Sequence, residues 1–115
     1  MNQDSDQLQR EICAKYGTWF EPCRGSDRAG LAISTLKLTP SYGVRIANSD
    51  GSSSWYIWNG SRSESADFFQ PVHVEHLVDH IPSVIKYLGL PAGFKFIIDD
   101  AGYEDVWFES EAPEA

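Results

Sequence analysis

From Pro71 to Phe108 the chain reads PVHVEHLVDHIPSVIKYLGLPAGFKFIIDDAGYEDVWF, and its hydrophobic period changes partway along. Val74, Leu77, Val78 and Ile81 recur at helical spacing, which predicts a helix over about 71–80. Pro82 interrupts it, because a residue preceding proline is pushed out of the helical region. Ser83–Leu88 then reads as a second helical turn, packed through Val84, Ile85 and Leu88 and ended by Gly89. Beyond Pro91 the period becomes two: Phe94, Phe96 and Ile98 alternate with Lys95, Ile97 and Asp99. Asp100-Ala101-Gly102 supplies a turn, and Tyr103–Glu109 alternates back, with Val106 and Phe108 opposite Tyr103, Asp105 and Trp107. A chain that must bury a helical face and a hairpin face together is confined to layered architectures of helix on sheet.

The preceding residues supply the rest of those layers. Leu8, Ile12, Cys13 and Tyr16 give a narrow apolar face to a helix over 5–16, capped by Asp4 or Ser5 and terminated by Gly17. Thr18–Pro22 reads as extended, an edge strand if it pairs, and CRGSDRAG (23–30) as a loop. Strands are expected over Leu31–Leu38, Val44–Ile46 and Ser53–Trp58, with Asn48-Ser49-Asp50-Gly51 as the turn before the last. Trp55-Tyr56-Ile57-Trp58 has no polar side, so that strand is either covered on both faces or presents one aromatic face for binding. NGSRSESA (59–66) is a second polar loop, and 110–115 an acidic, frayed tail. The expected fold is a single α+β domain over 1–115, ordered from about 5 to 109. It has a mainly antiparallel sheet, an N-terminal helix, a central helix pair packed on the sheet, and a C-terminal β-hairpin.

At 115 residues with 42% hydrophobic and 13% aromatic content, such a domain can bury a core without disulfides or metals. Cys13 and Cys23 are expected as thiols. The formal charge of −8 opposes binding to nucleic acid or an anionic membrane, both of which need cationic footprints. The polar start MNQDSDQLQREI carries no secretory signal, and no apolar run approaches the ~20 residues of a membrane span, so a cytoplasmic protein is expected.

Three groups of side chains could carry chemistry. His73, His76 and His80 fall at i, i+3 and i+7 of the expected helix, a spacing that can hold a transition metal. The zinc-enzyme pattern of two histidines at i, i+4 around a glutamate is absent, and boundary histidines that pair locally are the plainer reading. Asp99, Asp100, Glu104, Asp105 and Glu109 crowd the hairpin, and the segment after Leu90 holds seven carboxylates against the single Lys95. They do not follow a calcium-loop pattern, so they read as a solvated face or as an acidic surface for a basic protein, with Trp107 as its aromatic anchor. Trp55, Tyr56, Trp58, Tyr103 and Trp107 could stack on sugar rings, or simply fill the core. Neither cysteine has a catalytic context, and the serine-rich loops lack a nucleophile elbow. No catalytic residue and no cofactor is assigned.

Several segments taken together resemble a known family. These are Ile12-Cys13-x-Lys15-Tyr16-Gly17, Trp55-Tyr56-Ile57-Trp58, Asp67-Phe68-Phe69-Gln70-Pro71-Val72-His73-Val74-Glu75-His76-Leu77, Tyr87-Leu88-Gly89-Leu90-Pro91-x-Gly93-Phe94-Lys95-Phe96 and Tyr103-Glu104-Asp105-Val106-Trp107-Phe108. In that order they are similar to the immunity protein family 33 domain, over about 7–109. Gly93-Phe94-Lys95-Phe96 stands where the family typically has Gly-Trp-Arg-Phe, keeping its aromatic and basic character. The resemblance implies a small bacterial protein that neutralises a cognate toxin of a polymorphic toxin system by binding it in the cytoplasm; the chain itself is expected as a monomer or homodimer. The resemblance supplies no catalytic residues.

Overall fold

A computed structural model describes residues 3–109, so the acidic tail expected over 110–115 lies outside the described residues. Helix α1 (Gln3–Lys15) leads into strands β1 (Arg28–Leu31), β2 (Ser41–Ala47), β3 (Ser53–Asn59) and β4 (Gln70–His73). A 3-10 turn (Val74–His76), helix α2 (Leu77–His80) and a 3-10 helix (Pro82–Tyr87) precede the hairpin β5 (Phe94–Ile98) and β6 (Glu104–Phe108). The strands form one six-stranded sheet in the order β4-β1-β3-β2-β5-β6. Only the β1–β3 pairing is parallel among the described residues, so the expected α+β fold with a mainly antiparallel sheet is present.

The helices cover one face of this sheet. Trp55 and Ile57 of β3, Phe96 of β5 and Leu31 of β1 point into the core, where they meet Leu77, Val84, Tyr87, Leu88 and Leu90. Tyr87 stacks on Phe96 at 4.7 Å between ring centroids. Helix α1 packs on the 3-10 helix through Ile12 and Cys13. Its third inward position is Gln9, fully buried with Nε2 donating to the Ile85 carbonyl, while Leu8 is left 47% exposed. The helix starts earlier than expected, with Asp4 and Ser5 inside it. It ends as expected at Gly17, where the Thr18 and Gly17 amides return to the Cys13 and Ala14 carbonyls.

Three expectations fail for identifiable reasons. Leu31–Leu38 is not a strand: the chain leaves the sheet at Ala32, and Thr35 closes a 3-10 turn by bonding its hydroxyl back to the Ala32 carbonyl at 2.7 Å. The strand instead occupies Arg28–Leu31, the last three residues of the expected loop and the first of the expected strand. Residues 70–73 are not helical, because their backbone pairs antiparallel with β1, Ala29 opposite Val72 and Gly30 opposite Pro71. Pro71 is tolerated there because β4 is an edge strand. Thr18–Pro22 forms no ladder; its Glu21 amide donates to the Gly89 carbonyl.

Arg45 welds the two layers. It projects from β2 into the covered side, 4% exposed, and Nη1 donates to the carbonyls of Glu21, Leu88 and Leu90 at 2.7, 3.2 and 2.8 Å. Its Nε donates to the Ser53 hydroxyl, and the Glu21 carboxylate lies 3.6 Å from Nη2. Arg45→Met should lower stability by about 3 kcal/mol, since buried carbonyls lose their donor. Arg45→Lys should recover only part of that, as measured by the urea midpoint.

Candidate protein-docking surface

The acidic hairpin divides its residues among three settings. Asp99 shapes the turn: its Oδ1 accepts the Ala101 and Tyr103 amides, each at 2.9 Å. Asp100 and Asp105 are exposed, and their side chains make no hydrogen bond or ion pair among the described residues. Glu109 pairs with Lys95 at 3.2 Å and accepts the Trp107 indole N–H at 3.3 Å, which with Lys95 holds its carboxyl below the usual range.

Glu104 is different. It shares the inward side of β6 with Val106, and its side chain is 16% exposed. Lys15 Nζ (2.6 Å) and the Tyr16 hydroxyl (2.5 Å) donate to Oε2, and the Tyr87 hydroxyl (2.5 Å) donates to Oε1. Burial pushes the carboxyl up, but the bonds from Lys15, Tyr16 and Tyr87 and the charge of Lys15 outweigh it, leaving the carboxyl at about 2. Burial and the same bond push the Tyr87 phenol up. Glu104 thus ties α1, the 3-10 helix and β6 together, and is not a free surface charge.

The histidines do not share one helical face. His73 ends a strand, His76 ends a 3-10 turn and His80 ends α2, so the i, i+3, i+7 spacing has no helix to act on. With Arg28, Pro71 and Val72 they line a shallow cleft of about 520 Å³, where His73 and His76 are stacked at 6.1 Å and His76 lies 3.7 Å from Asp79. No group of three metal-ligating side chains is assembled among the described residues. Both cysteines are free thiols; Cys13 donates to the Gly89 carbonyl and Cys23 to the Leu88 carbonyl, and burial raises both pKa values.

The tryptophans separate by strand parity. Trp55 is 1% exposed, with Nε1 donating to the Leu88 carbonyl at 3.1 Å, so it belongs to the core and is unavailable to a sugar. Tyr56 and Trp58 lie on the opposite face, which no helix covers, and both are half-buried. Register extends that face across the sheet. Tyr56 stands beside Val44 and Gly30, Trp58 beside Tyr42, Tyr42 beside Ile97, and Ile97 beside Asp105. Tyr42 stacks on Trp58 at 5.2 Å and 12°, and the Tyr56 ring lies over Gly30, where a Cβ would approach it to 2.7 Å. Phe69 meets both Tyr56 and Trp58 edge-on, and the Arg62 guanidinium sits 5.3 Å from the Trp58 ring centre. Strand parity and the run Tyr56, Trp58 hinted at this face. Tyr42, Val44, Ile46 and Ile97 went unrecognised because alternation does not say which side a helix will cover.

The sheet thus has one face covered by the helices, one aromatic face and an acidic hairpin at its edge. The family model of the Imm33-like domain matches residues 8–109. The chain therefore belongs to the Imm33-like family, an immunity-type family whose membership implies a protein partner. No similarity to a curated protein or to a solved structure was found. No helix among the described residues is long and apolar enough to cross a membrane.

The Glu104 contacts predict a pH signature. A carboxyl held down to about 2 from an ordinary 4.5 contributes stability that is present above 4.5 and lost as pH falls through about 2. Glu104→Gln should remove roughly 2 kcal/mol at neutral pH, allowing for the exposed Lys15. The difference from the parent in urea titrations should shrink steadily between pH 4.5 and 2.

Proposed function

We propose that this chain is a cytoplasmic immunity-type protein that binds and neutralises a cognate toxin without catalysing a reaction. The observation that carries this reading is the family match across residues 8–109. The hairpin supports it, with Asp99, Asp100, Asp105 and Glu109 at the β6 edge beside the half-buried Trp107. On a chain of net charge −8, this edge attracts a basic toxin and speeds encounter, while apolar contacts nearby set how long the complex lasts. Glu104 contributes by holding the hairpin to α1 and the 3-10 helix rather than by touching the toxin.

The test is co-expression of this chain with each candidate toxin domain from its gene neighbourhood, followed by binding of the two purified proteins. The parent chain should protect cells and form a stable complex. The triple variant Asp99→Lys, Asp100→Lys, Asp105→Lys should associate about tenfold more slowly at low salt, with the gap closing as salt rises and dissociation little changed. Absence of protection and of complex formation rejects the toxin-binding reading. A triple variant that associates at the parent's rate rejects the acidic edge as its docking site.

A further inference from the structure

We propose that the partner docks face-on against the uncovered side of the sheet, on the platform formed by Tyr42, Val44, Ile46, Tyr56, Trp58 and Ile97, with the acidic hairpin as its border. The occupant is a protein presenting a flat apolar patch flanked by Lys and Arg. This deepens the toxin-binding reading above and rests on it.

The platform residues lie outside the core cluster, which is drawn from the other face of the same strands. An antiparallel sheet with one solvated face ordinarily carries polar side chains there. Here β2 instead directs Tyr42, Val44 and Ile46 outward, and β3 directs Tyr56 and Trp58. The three adjacent strands that carry the platform, β3, β2 and β5, spaced by about 4.8 Å and about five residues deep, span on the order of 250 Å² in plan. That is about a third of what one partner contributes to a stable complex, so the bordering hairpin must share in the contact.

Charge selects the occupant. Asp105 stands beside Ile97 at the platform's β6 end, with Asp99 and Asp100 at the adjoining turn, whereas Lys95 on the same face is paired with Glu109. A basic rim on the partner complements that border. A second copy of this chain would bring together two molecules of charge −8, which opposes self-association. A sugar needs a free aromatic ring, and the Trp58 ring already has Tyr42 stacked on it, Phe69 against its edge and Arg62 over it. The rigid stack presents large side chains already fixed in place, which lowers the entropy lost on binding.

The experiment uses the full chain and the purified toxin domain identified by that co-expression. Val44→Glu and Ile97→Glu, checked for folding by circular dichroism and thermal melting, should each weaken binding at least tenfold, chiefly through faster dissociation. Hydroxyl-radical footprinting of the unmutated complex provides a readout that does not depend on how the variants fold. Tyr42, Tyr56 and Trp58 should be protected, while Trp19, 67% exposed in the free chain, should not. If the complex forms but the footprint falls elsewhere and folded variants bind as the parent does, this face is wrong and the toxin reading stands. If no complex forms, the toxin reading fails and this one with it. Light scattering that finds a dimer dispersed by Ile97→Glu, or glycan binding abolished by Val44→Glu, would assign the face to another occupant and overturn the proposal.

Discussion

The structure depends on how one buried cation is satisfied. Arg45 carries its guanidinium from the middle of the sheet into the helical layer, where a charge is tolerated only if its donors find partners. Those partners are backbone carbonyls of Glu21, Leu88 and Leu90, in the segment after α1 and just past the 3-10 helix. Carbonyls at a helix end have no acceptor role inside the helix, so they suit an external donor. The Trp55 indole and the Cys23 thiol reach the same Leu88 carbonyl, concentrating the connection between layers at one place. Glu104 makes the complementary connection from β6 to α1 and the 3-10 helix, with the charge reversed.

These ties draw the helices onto one face of the sheet, while the loop carrying Arg62 and Phe69 lies against the other. The protein's two faces consequently do different work. The inner face holds large side chains at near-zero exposure and is insulated from any partner. The outer face keeps aromatic and aliphatic side chains half-accessible in fixed mutual contact, bordered on its β6 side by Asp105 and the turn acids. Steering by charge and holding by apolar contact are separate physical tasks, and in the proposed reading they fall to adjacent parts of one sheet.

Much of this was legible beforehand where local rules suffice. The β5–β6 hairpin, the β2–β3 turn at Asn48–Gly51, the Gly17 stop and the break at Pro82 follow from periodicity and turn chemistry, and appear where those rules place them. The misreadings have separate causes. Val72 and His73 fit a helix by spacing, yet pairing with Ala29 and Arg28, distant in sequence, makes them a strand. Leu31–Thr35 alternates like a strand, yet Thr35 bonds back locally and turns it. Glu104 looked like one more surface acid, although its parity with Val106 put it inside. Parity sets Arg45 opposite Val44 and Ile46, which by itself would send the charge to solvent; the structure buries Arg45 and turns the two aliphatic side chains outward.

By itself, then, the sequence determined the α+β class, the hairpin, the membership of a family whose motifs run nearly its whole length, and the sign of the surface charge. These are properties of composition and short-range spacing. Only the tertiary structure decided which face of the sheet is covered, which of the hairpin's acids are free, that Trp55 is core while Trp58 is not, and that the three histidines line one cleft from separate elements, with no metal-ligating group of three among the described residues. Alternation assigns side chains to two faces without naming the inner one; that choice is made by the helices, and the helices are positioned by hydrogen bonds to residues tens of positions away.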